Sequence, residues 1–457
     1  MNVVNSSIIL KHKKLNMKTK FACIALVFVF ACLQPTKSQT VMFLGNAQHT
    51  GISNSKFPSN GTFKQLWKFK THGQIFGSAV AYKGLIYFGC DDKCIYALTA
   101  KGQLKWKFKT NAKIRSTPAI KNNVLYINNY DGYLYALNAK SGNMIWKLKV
   151  KKDLPKTGYG LNYCTPKDSL MEDLWDFYTS SSTIEKEKDI LYFGCGYSMY
   201  AVNTKKGSIL WHFNTAGVIH STPAIYKNNL FFGCWDGKFY SVNTQTGKEE
   251  WSYQTLLDNA NHNLEGIQSS PTVFDSTVVI GSRDSYIYAF NIMNGKLVWK
   301  QKFSTTWMPC SFAYDGKNLY TGSSDIAKFF ILNKKDGVTI KSVSTGTYTF
   351  STPTLANDIV FIGSTNGALY AINTAKGMII DEFHTEGRMN NPFKVILKNG
   401  TLNKEAFADL TGSQYSTAAK YVERLFTAGS ILSTPMIYKN SIYFGSTDGN
   451  FYSVTLK

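Results

Sequence analysis

The stretch from Ser221 to Trp251 reads STPAIYKNNLFFGCWDGKFYSVNTQTGKEEW, and it decides the fold because its parts recur along the chain. A Ser-Thr-Pro opening leads into an apolar strand that ends at Gly233. An Asp236-Gly237 turn then leads into a second strand, and the stretch closes on Gly-x-x-x-Trp. Asp-Gly pairs supply the positive φ angles that tight hairpins require. A unit of about 40 residues fits four short strands, so the stretch predicts one blade of a β-propeller.

Eight such units follow one another. The residues that end their apolar strands are Gly89, Asn128, Gly194, Gly233, Gly281, Gly322, Gly363 and Gly445, at spacings of 39, 66, 39, 48, 41, 41 and 82 residues. The opening triplet is clear at Ser116, Ser221, Ser351 and Ser433, nearly so at Ser269, and degenerate at Gly77, Ser180 and Pro309. We therefore predict an all-β, eight-bladed propeller of four-stranded antiparallel blades.

The last unit stops at Lys457 after its third strand, which would leave an open sheet edge. The segment Gln65–Phe69 matches the missing outer strand. We predict that this N-terminal strand completes blade eight and closes the ring.

The N-terminal residues are typical of an export signal. Lys18 and Lys20 precede an apolar run that ends at a small-x-small site before Gln39. This pattern predicts a signal peptide over residues 1–38, with translation starting at Met17, then a lead-in over 39–63 and one propeller over 64–457. A lipoprotein signal ending at Cys32 is the alternative. No other run is long enough to span a membrane, so the protein is expected to be exported: periplasmic, outer-membrane-associated or extracellular.

The net charge of +22 comes almost entirely from lysine, since only four of the 51 basic residues are arginine. Base reading and bidentate phosphate contacts favour arginine, so nucleic acid is not an expected partner. Many lysines alternate with apolar residues, as in Trp67-Lys68-Phe69-Lys70. This alternation predicts outer strands whose charged face keeps the chain in solution and discourages edge pairing.

The Ser-Thr-Pro opening, the Asp-Gly-x-x-Tyr-Ala-x-Asn strand and the Gly-x-x-x-Trp ending resemble the blade signature of the pyrroloquinoline-quinone (PQQ) family of propellers, and Phe43–Gly51 resembles that family's lead-in. The resemblance covers residues 42 to 457. It implies the fold, but it leaves the activity open. The same blades serve quinoprotein dehydrogenases, the propeller lipoprotein of the outer-membrane barrel-assembly machinery and other exported proteins.

Three intervals between units are long, and all three are blade-to-blade links, at about residues 151–178, 255–268 and 384–430. In a four-stranded meander these links fall on one face together with the turns between second and third strands. We therefore expect loop and helical insertions on a single face. Residues 404–426 are expected to be helical, and a degenerate ninth blade within the last interval is an alternative.

Candidate binding residues lie at the predicted channel mouth and on the same face. They are Arg115, Tyr130, Trp175, His220, Trp235, Gln268, Arg283, Trp307 and Phe350. Loops on a rigid scaffold are where binding sites usually form. The alternative is that these side chains merely pack under the insertions.

The sequence offers little for catalysis or metal binding. It has no adjacent cysteine pair, no Cys-x-x-Cys-His and no zinc pattern. Cys90 and Cys94 flank one hairpin turn and could form a disulfide if their Cβ atoms lie within about 4 Å. Asp91-Asp92 and Asp258-Asn259 could supply oxygen ligands, but acidic pairs in turns are usually solvated.

Three functions follow from these observations. The leading hypothesis is a monomeric, non-catalytic scaffold without a cofactor, which binds a protein of the cell envelope or a polysaccharide through its decorated face. The second is a PQQ-dependent alcohol or sugar dehydrogenase, for which the resemblance implies PQQ and Ca²⁺ near the channel mouth. The third is a carbohydrate-binding propeller, which would present Trp175, Trp235 and Trp307 as coplanar, exposed rings.

Overall fold

The computed structural model describes residues 41–185, 187–257 and 264–457, in which eight antiparallel sheets form the blades of a propeller. Each blade is a four-stranded meander, and the first strands of neighbouring blades contact one another around a central channel. The predicted fold class is confirmed. The signal peptide predicted over residues 1–38 lies outside the described residues.

The strands of blades 1 to 4 are Val80–Tyr82, Leu85–Gly89, Cys94–Thr99 and Leu104–Lys109; Ala119–Lys121, Val124–Asn128, Tyr133–Asn138 and Met144–Lys149; Thr183–Glu185, Ile190–Cys195, Ser198–Asn203 and Ser208–Asn214; and Ala224–Tyr226, Asn229–Gly233, Lys238–Asn243 and Glu249–Gln254. The strands of blades 5 to 8 are Thr272–Phe274, Thr277–Gly281, Tyr286–Asn291 and Leu297–Lys302; Ala313–Tyr314, Asn318–Gly322, Lys328–Asn333 and Thr339–Ser344; Thr354–Ala356, Ile359–Gly363, Ala368–Asn373 and Met378–His384; and Met436–Tyr438, Ser441–Gly445, Asn450–Leu456 and Phe63–Lys70.

The insertions carry the remaining elements of the links. The first contains the strands Thr157–Tyr159 and Leu170–Glu172 and the 3₁₀ helix Leu161–Tyr163; the third contains the α-helices Glu386–Asn390 and Tyr415–Phe426 and the 3₁₀ helix Lys404–Phe407. The third interval therefore holds helices and no ninth blade. None of the helices in the described ranges has the length and apolarity needed to cross a membrane.

The opening triplet forms a ring of hydrogen bonds around the channel. In most blades, the backbone N–H of the triplet's middle residue donates to the side-chain oxygen of the middle residue in the next blade. The Thr117 amide donates to Ser181 Oγ at 2.8 Å, and the Ser181 amide donates to Thr222 Oγ1 at 3.0 Å. The bond from Thr434 to Ser78 closes the ring between blades 8 and 1. In blade 6 the middle position is Ser311, so its triplet begins at Cys310 and the sequence alignment on Pro309 was wrong by one residue.

The repeat's Gly and Trp join neighbouring blades. The indole N–H of Trp106 donates to the carbonyl of Ala139 at 3.0 Å, and Gly142 packs on the same indole, where a Cβ atom would come within 2.7 Å. Blade 6 lacks the Trp, but Lys341 donates from Nζ to the carbonyl of Ala375 and fills the same role. In blades 1, 3, 4, 5, 6 and 8, one donor on the outer strand thus ties the blade to its neighbour.

The N-terminal strand closes the ring as predicted. Phe63–Lys70 pairs antiparallel with Asn450–Leu456 as the outer strand of blade 8. The amide of Phe63 also donates to Asp381, which occupies the Trp slot of blade 7. The closing strand is therefore bonded to two blades.

The lead-in runs across the channel and bonds to the inner strands of five blades. Its 3₁₀ helix is Phe43–Gly45, and its short strand Ile52–Ser53 pairs in parallel with Leu355–Ala356 of blade 7. The carbonyl oxygens of Val41, Ala47, Gln48, Thr50 and Gly51 accept from the amides of Ile120, Ile225, Val273, Tyr314 and Leu355, respectively. Met42, Leu44 and His49 are buried. This segment therefore closes the channel on the side away from the insertions.

Candidate functional site

The decorated face consists of the three insertions, residues 151–178, 255–268 and 384–430, of which 258–263 lie outside the described residues. The first insertion bonds to the third, because the Thr165 amide donates to the Ser413 carbonyl at 2.6 Å. The helix Tyr415–Phe426 buries Val422, Leu425 and Phe426 in an aromatic cluster above the channel. The first and third insertions thus form one continuous layer over the blades.

Aromatic side chains of this layer fill the channel mouth. Trp175 stacks on Phe350 with ring centroids 5.9 Å apart, and Phe177 packs between Phe76 and Phe426 at 6.0 and 5.3 Å. The Tyr178 hydroxyl donates to the Phe350 carbonyl at 3.0 Å. Buried aromatic contacts of this kind pack as tightly as a protein core. The first insertion therefore acts as a plug, which we define as residues 173–178.

Buried ion pairs fix the plug to the blades. The Arg115 guanidinium donates to Asp91 at 2.7 Å and, more weakly, to the Phe177 carbonyl. His220 donates from Nδ1 to Asp176 and from Nε2 to the Leu154 carbonyl at 3.1 Å. Each contact joins a residue at the channel mouth to the turn or insertion above it.

His220 is fully buried between two carboxylates. Burial alone lowers the pKa of an imidazole, but Asp176 and Asp153 outweigh it and raise the pKa of His220 to about 10. The ring is therefore an imidazolium at neutral pH. Its charge offsets part of the cost of burying the two carboxylates.

Arg283 lies in the turn between the second and third strands of blade 5 and is 1% exposed. Its guanidinium lies 4.3 Å from the ring of Trp235 and 4.0 Å from the ring of Trp307, and it donates to Asp173 at 2.5 Å. Gln268 accepts from the same guanidinium and donates to the Trp175 carbonyl. A planar cation between two rings, paired with a carboxylate, is a rigid packing unit.

The structure thus brings eight of the nine predicted site residues into one cluster at the mouth. Trp175, His220, Trp235, Gln268, Arg283, Trp307 and Phe350 pack under or within the plug, whereas Arg115 lies at its edge. Tyr130 is the exception, since it lies beside the mouth under the ammonium of Lys113. Arg115, His220, Gln268 and Phe350 line the channel cavity beneath the plug, but the first insertion covers them, so the mouth is not open.

Beside the plug lies an open cleft of about 760 Å³. Its blade wall carries Lys93, Lys113, Arg115 and Tyr130, and its other wall consists of the first insertion and the helix Tyr415–Phe426. This volume is typical of a binding site for a small ligand or a few side chains. Two of the predicted site residues, Arg115 and Tyr130, line this cleft.

The channel between the plug and the lead-in is nearly closed. Phe43 from the lead-in and Phe76, Arg115, His220 and Phe350 from the mouth line a cavity of about 40 Å³. Since one water needs roughly 10–15 Å³ on this measure, the cavity has room for a few waters.

Cys90 and Cys94, between which the sequence allowed a disulfide, are not joined in the structure. Both are buried thiols. The Cys90 Sγ donates to Thr71 and to the Gln74 carbonyl, while the Cys94 Sγ donates to the Asp92 carbonyl. Both thiols thus bond to Asp92 in the turn between them, since the Asp92 amide also donates to the Cys90 Sγ.

Sequence reasoning missed the acidic partners of the mouth cations. Asp153, Asp173 and Asp176 belong to the first insertion, and Asp91 belongs to a turn of blade 1. The signal for the insertion residues was a cluster of acids in a link that returns to the mouth. The cluster by itself does not predict which cations it contacts, because the cationic partners lie far away in the sequence.

The comparisons with known proteins agree on the propeller. A family model described as "Outer membrane protein assembly factor BamB" matches residues 59–168, 181–343 and 283–457. BamB from Moraxella catarrhalis superposes with a TM-score of 0.62 at 15% identity, covering 86% of this chain and 99% of that one. A europium-containing methanol dehydrogenase superposes with a TM-score of 0.65 at 13% identity, covering 92% and 98%.

One curated relative matches a single stretch. Tetrathionate hydrolase from Acidithiobacillus ferrooxidans is 40% identical over 53 residues, which are 12% of this chain and 11% of that protein. The matched part therefore spans about a tenth of that relative's length. At these low overall identities, the structural likenesses show the fold alone.

Proposed function

We propose that this chain, which belongs to the family of PQQ-type propellers described as outer membrane protein assembly factor BamB, is a non-catalytic binding scaffold that holds a protein partner on its decorated face. One observation carries the proposal. The same insertions that fill the channel mouth also build the decorated face, and there they present an open cleft and exposed apolar side chains.

The exposed side chains resemble the anchors of a protein interface. Tyr159, Tyr163 and Leu170 of the first insertion are 57%, 58% and 61% exposed, and Met389 and Phe393 of the third are 65% and 54% exposed. Large aromatic and aliphatic side chains on a rigid layer are the residue types that dominate binding energy. A partner segment that covers the cleft would reach these anchors.

The geometry of the mouth weighs against the dehydrogenase alternative. PQQ is a planar tricyclic molecule that needs a slot of its own size, whereas the channel cavity holds a few waters. Asp91, Asp173 and Asp176 are each bonded to a cationic side chain. PQQ and Ca²⁺, which the resemblance to PQQ-type propellers implies, thus do not fit the described mouth. The carboxylates that a Ca²⁺ ion would need there are already in ion pairs. Asp258-Asn259 lies outside the described residues.

The carbohydrate alternative lacks its expected platform. Trp235 and Trp307 are 2% and 9% exposed, and the rings of Trp175 and Trp307 are inclined by 73°. Sugar stacking needs accessible ring faces, and the faces of Trp235 and Trp307 are covered by Arg283.

An envelope location completes the proposal. The predicted signal over residues 1–38 would export the chain, and the matching family's description names an assembly factor of the outer membrane. The partner in this reading is a protein of the cell envelope, and the propeller binds it as a monomer.

A photo-cross-linking experiment in the native envelope tests this proposal. A photoreactive residue replaces Tyr159 on the decorated face and, as a matched control, Lys317 on an exposed turn of the opposite face. We expect discrete cross-linked species with a protein from position 159 and none from position 317. Equal yields from both positions, or no protein cross-link from 159 and from a second site at Phe393, would contradict a partner on this face.

A further inference from the structure

The face opposite the insertions carries a repeated surface that the proposed function does not use. It consists of the turns between third and fourth strands and the first residues of each outer strand. We call these segments the rim: residues 99–105, 138–145, 203–210, 243–250, 291–298, 333–340 and 373–380. They recur at the periphery of seven consecutive blades.

Exposed aliphatic side chains concentrate in the rim. Half of the 24 large apolar side chains that are exposed in the described part of the chain lie there, although the rim is a small share of the surface. They include Met144, Ile145, Ile209 and Leu210 at 49%, 51%, 40% and 49% exposure. These four side chains stand immediately before the Trp position of the repeat, so the repeat sets their place on the outer strand.

Blade 4 shows that the fold does not require apolar residues at this place. Its rim carries Glu249 and Glu250, both exposed, where other blades carry pairs such as Ile209 and Leu210. The β-bulge is the same in both blades, between Ser241 and Val242 and between Ala201 and Val202. The aliphatic residues of the remaining blades are therefore a property of the surface and not of the strand geometry.

The rim is also strongly cationic. It contains ten lysines and three acidic residues, whereas the three insertions of the decorated face contain ten basic and eleven acidic residues. Among the rim lysines, only Lys205 and Lys334 form ion pairs with described carboxylates, with Asp189 and Asp275. The charge of the propeller is thus unevenly distributed between its two faces.

We propose that the rim binds the surface of a bilayer that contains anionic lipids. Lysines next to exposed aliphatic side chains fit a lipid surface, because the ammonium groups pair with headgroup phosphates while the aliphatic groups enter the acyl boundary. A polyanion without acyl chains would use the lysines and leave the aliphatic residues unexplained. Bound in this way, the propeller holds its decorated face away from the membrane.

Vesicle sedimentation tests the proposal with the predicted mature chain, which starts at Gln39 and so lacks Cys32 and any lipid attached there. Vesicles of one part phosphatidylglycerol to two parts phosphatidylcholine should bind the protein, and phosphatidylcholine vesicles should not. Because each lysine near an anionic surface contributes about fivefold in affinity, Lys205→Glu/Lys206→Glu should weaken binding at least tenfold. Ile209→Ser/Leu210→Ser should weaken it several-fold.

Lys151→Glu/Lys152→Glu, an equal charge change on the decorated face, is the matched control and should leave vesicle binding unchanged. An equal loss in this control, or no binding to anionic vesicles, would overturn the proposal. So would loss from the lysine variant without loss from the aliphatic variant, which would indicate a simple polyanion site. If the aliphatic substitutions instead dissociate a dimer seen without vesicles, the rim is an interface between copies and the lipid proposal is wrong.

Discussion

At the scale of single residues, the channel mouth shows how charge is accommodated in a packed region. Arg283, Arg115 and His220 are each buried or nearly so, and each contacts a carboxylate of the insertion or of a neighbouring turn. A buried charge without such a partner would cost several kcal/mol. The pairs that include Asp173 and Asp176 therefore fix the position of the plug on the blades, and Arg115 adds a weak bond to the Phe177 carbonyl.

Replacing His220 by Asn tests this account at one residue. The substitution leaves Asp153 and Asp176 buried without a cation, so we expect the free energy of unfolding to fall by about 3–5 kcal/mol. Chemical denaturation at neutral pH measures the change. His72→Asn, at an exposed histidine, is the control and should have little effect.

The pH dependence of the free energy of unfolding gives a second test of His220. Since the folded pKa of His220 is about 10 and an unperturbed histidine titrates near 6.5, its contribution is fully present below about pH 6.5 and is lost as the pH rises through about 10. The stability difference between wild type and His220→Asn should therefore shrink with rising pH across this window. A difference that rises up to about pH 6.5 and then stays level would mean that the imidazole is buried in its neutral form.

At the scale of elements, the repeat signature has a specific physical role in each blade. Hydroxyls of the opening triplet bond inner strands to each other, and in five blades the Trp N–H bonds the outer strand to the next blade. Lys341 and Asp381 replace the Trp without loss of a bond between neighbouring strands. Such substitutions explain why the pattern weakens in blades 6 and 7 while the fold persists.

Deleting residues 39–57, most of the lead-in, tests whether this segment stabilises the ring of blades. Five backbone hydrogen bonds at about 1 kcal/mol each and the burial of Met42 and Leu44 would be lost, so the free energy of unfolding should fall by several kcal/mol. Thermal unfolding of the shortened chain measures this. Gln48→Ala, which removes one side-chain bond to the Ile225 carbonyl and keeps the backbone bonds, is the control. An unchanged melting temperature after the deletion would show that the segment is only loosely attached.

At the scale of the whole molecule, the sequence predicted the ring and its closing strand well, because eight copies of one signature average out local exceptions. The order of turns in a four-stranded meander also predicted that the three insertions lie on one face. The alignment error at Pro309 arose where a single copy was degenerate and its neighbours could not correct it.

The interior of the mouth could not be predicted in the same way. The partners of Arg115, His220 and Arg283 lie in a turn and an insertion that do not repeat, so no second copy supports their assignment. The lead-in was aligned with the family pattern through Phe43–Gly51, but its path across five blades depends on backbone carbonyls, which carry no side-chain signal. Both closures of the channel therefore became visible only in three dimensions.

We propose that the closed channel makes this propeller a binding scaffold and not a quinoprotein. Titration of the mature protein with PQQ and Ca²⁺, followed by tryptophan fluorescence and dye-linked oxidation of alcohols and sugars, tests it most directly. We predict no saturable quenching at tens of micromolar PQQ and no turnover. The channel cavity measures only about 40 Å³, and Asp91, Asp173 and Asp176 of the adjoining cleft are bound to cationic side chains. Saturable quenching accompanied by turnover would contradict the account and make the protein a quinoprotein dehydrogenase.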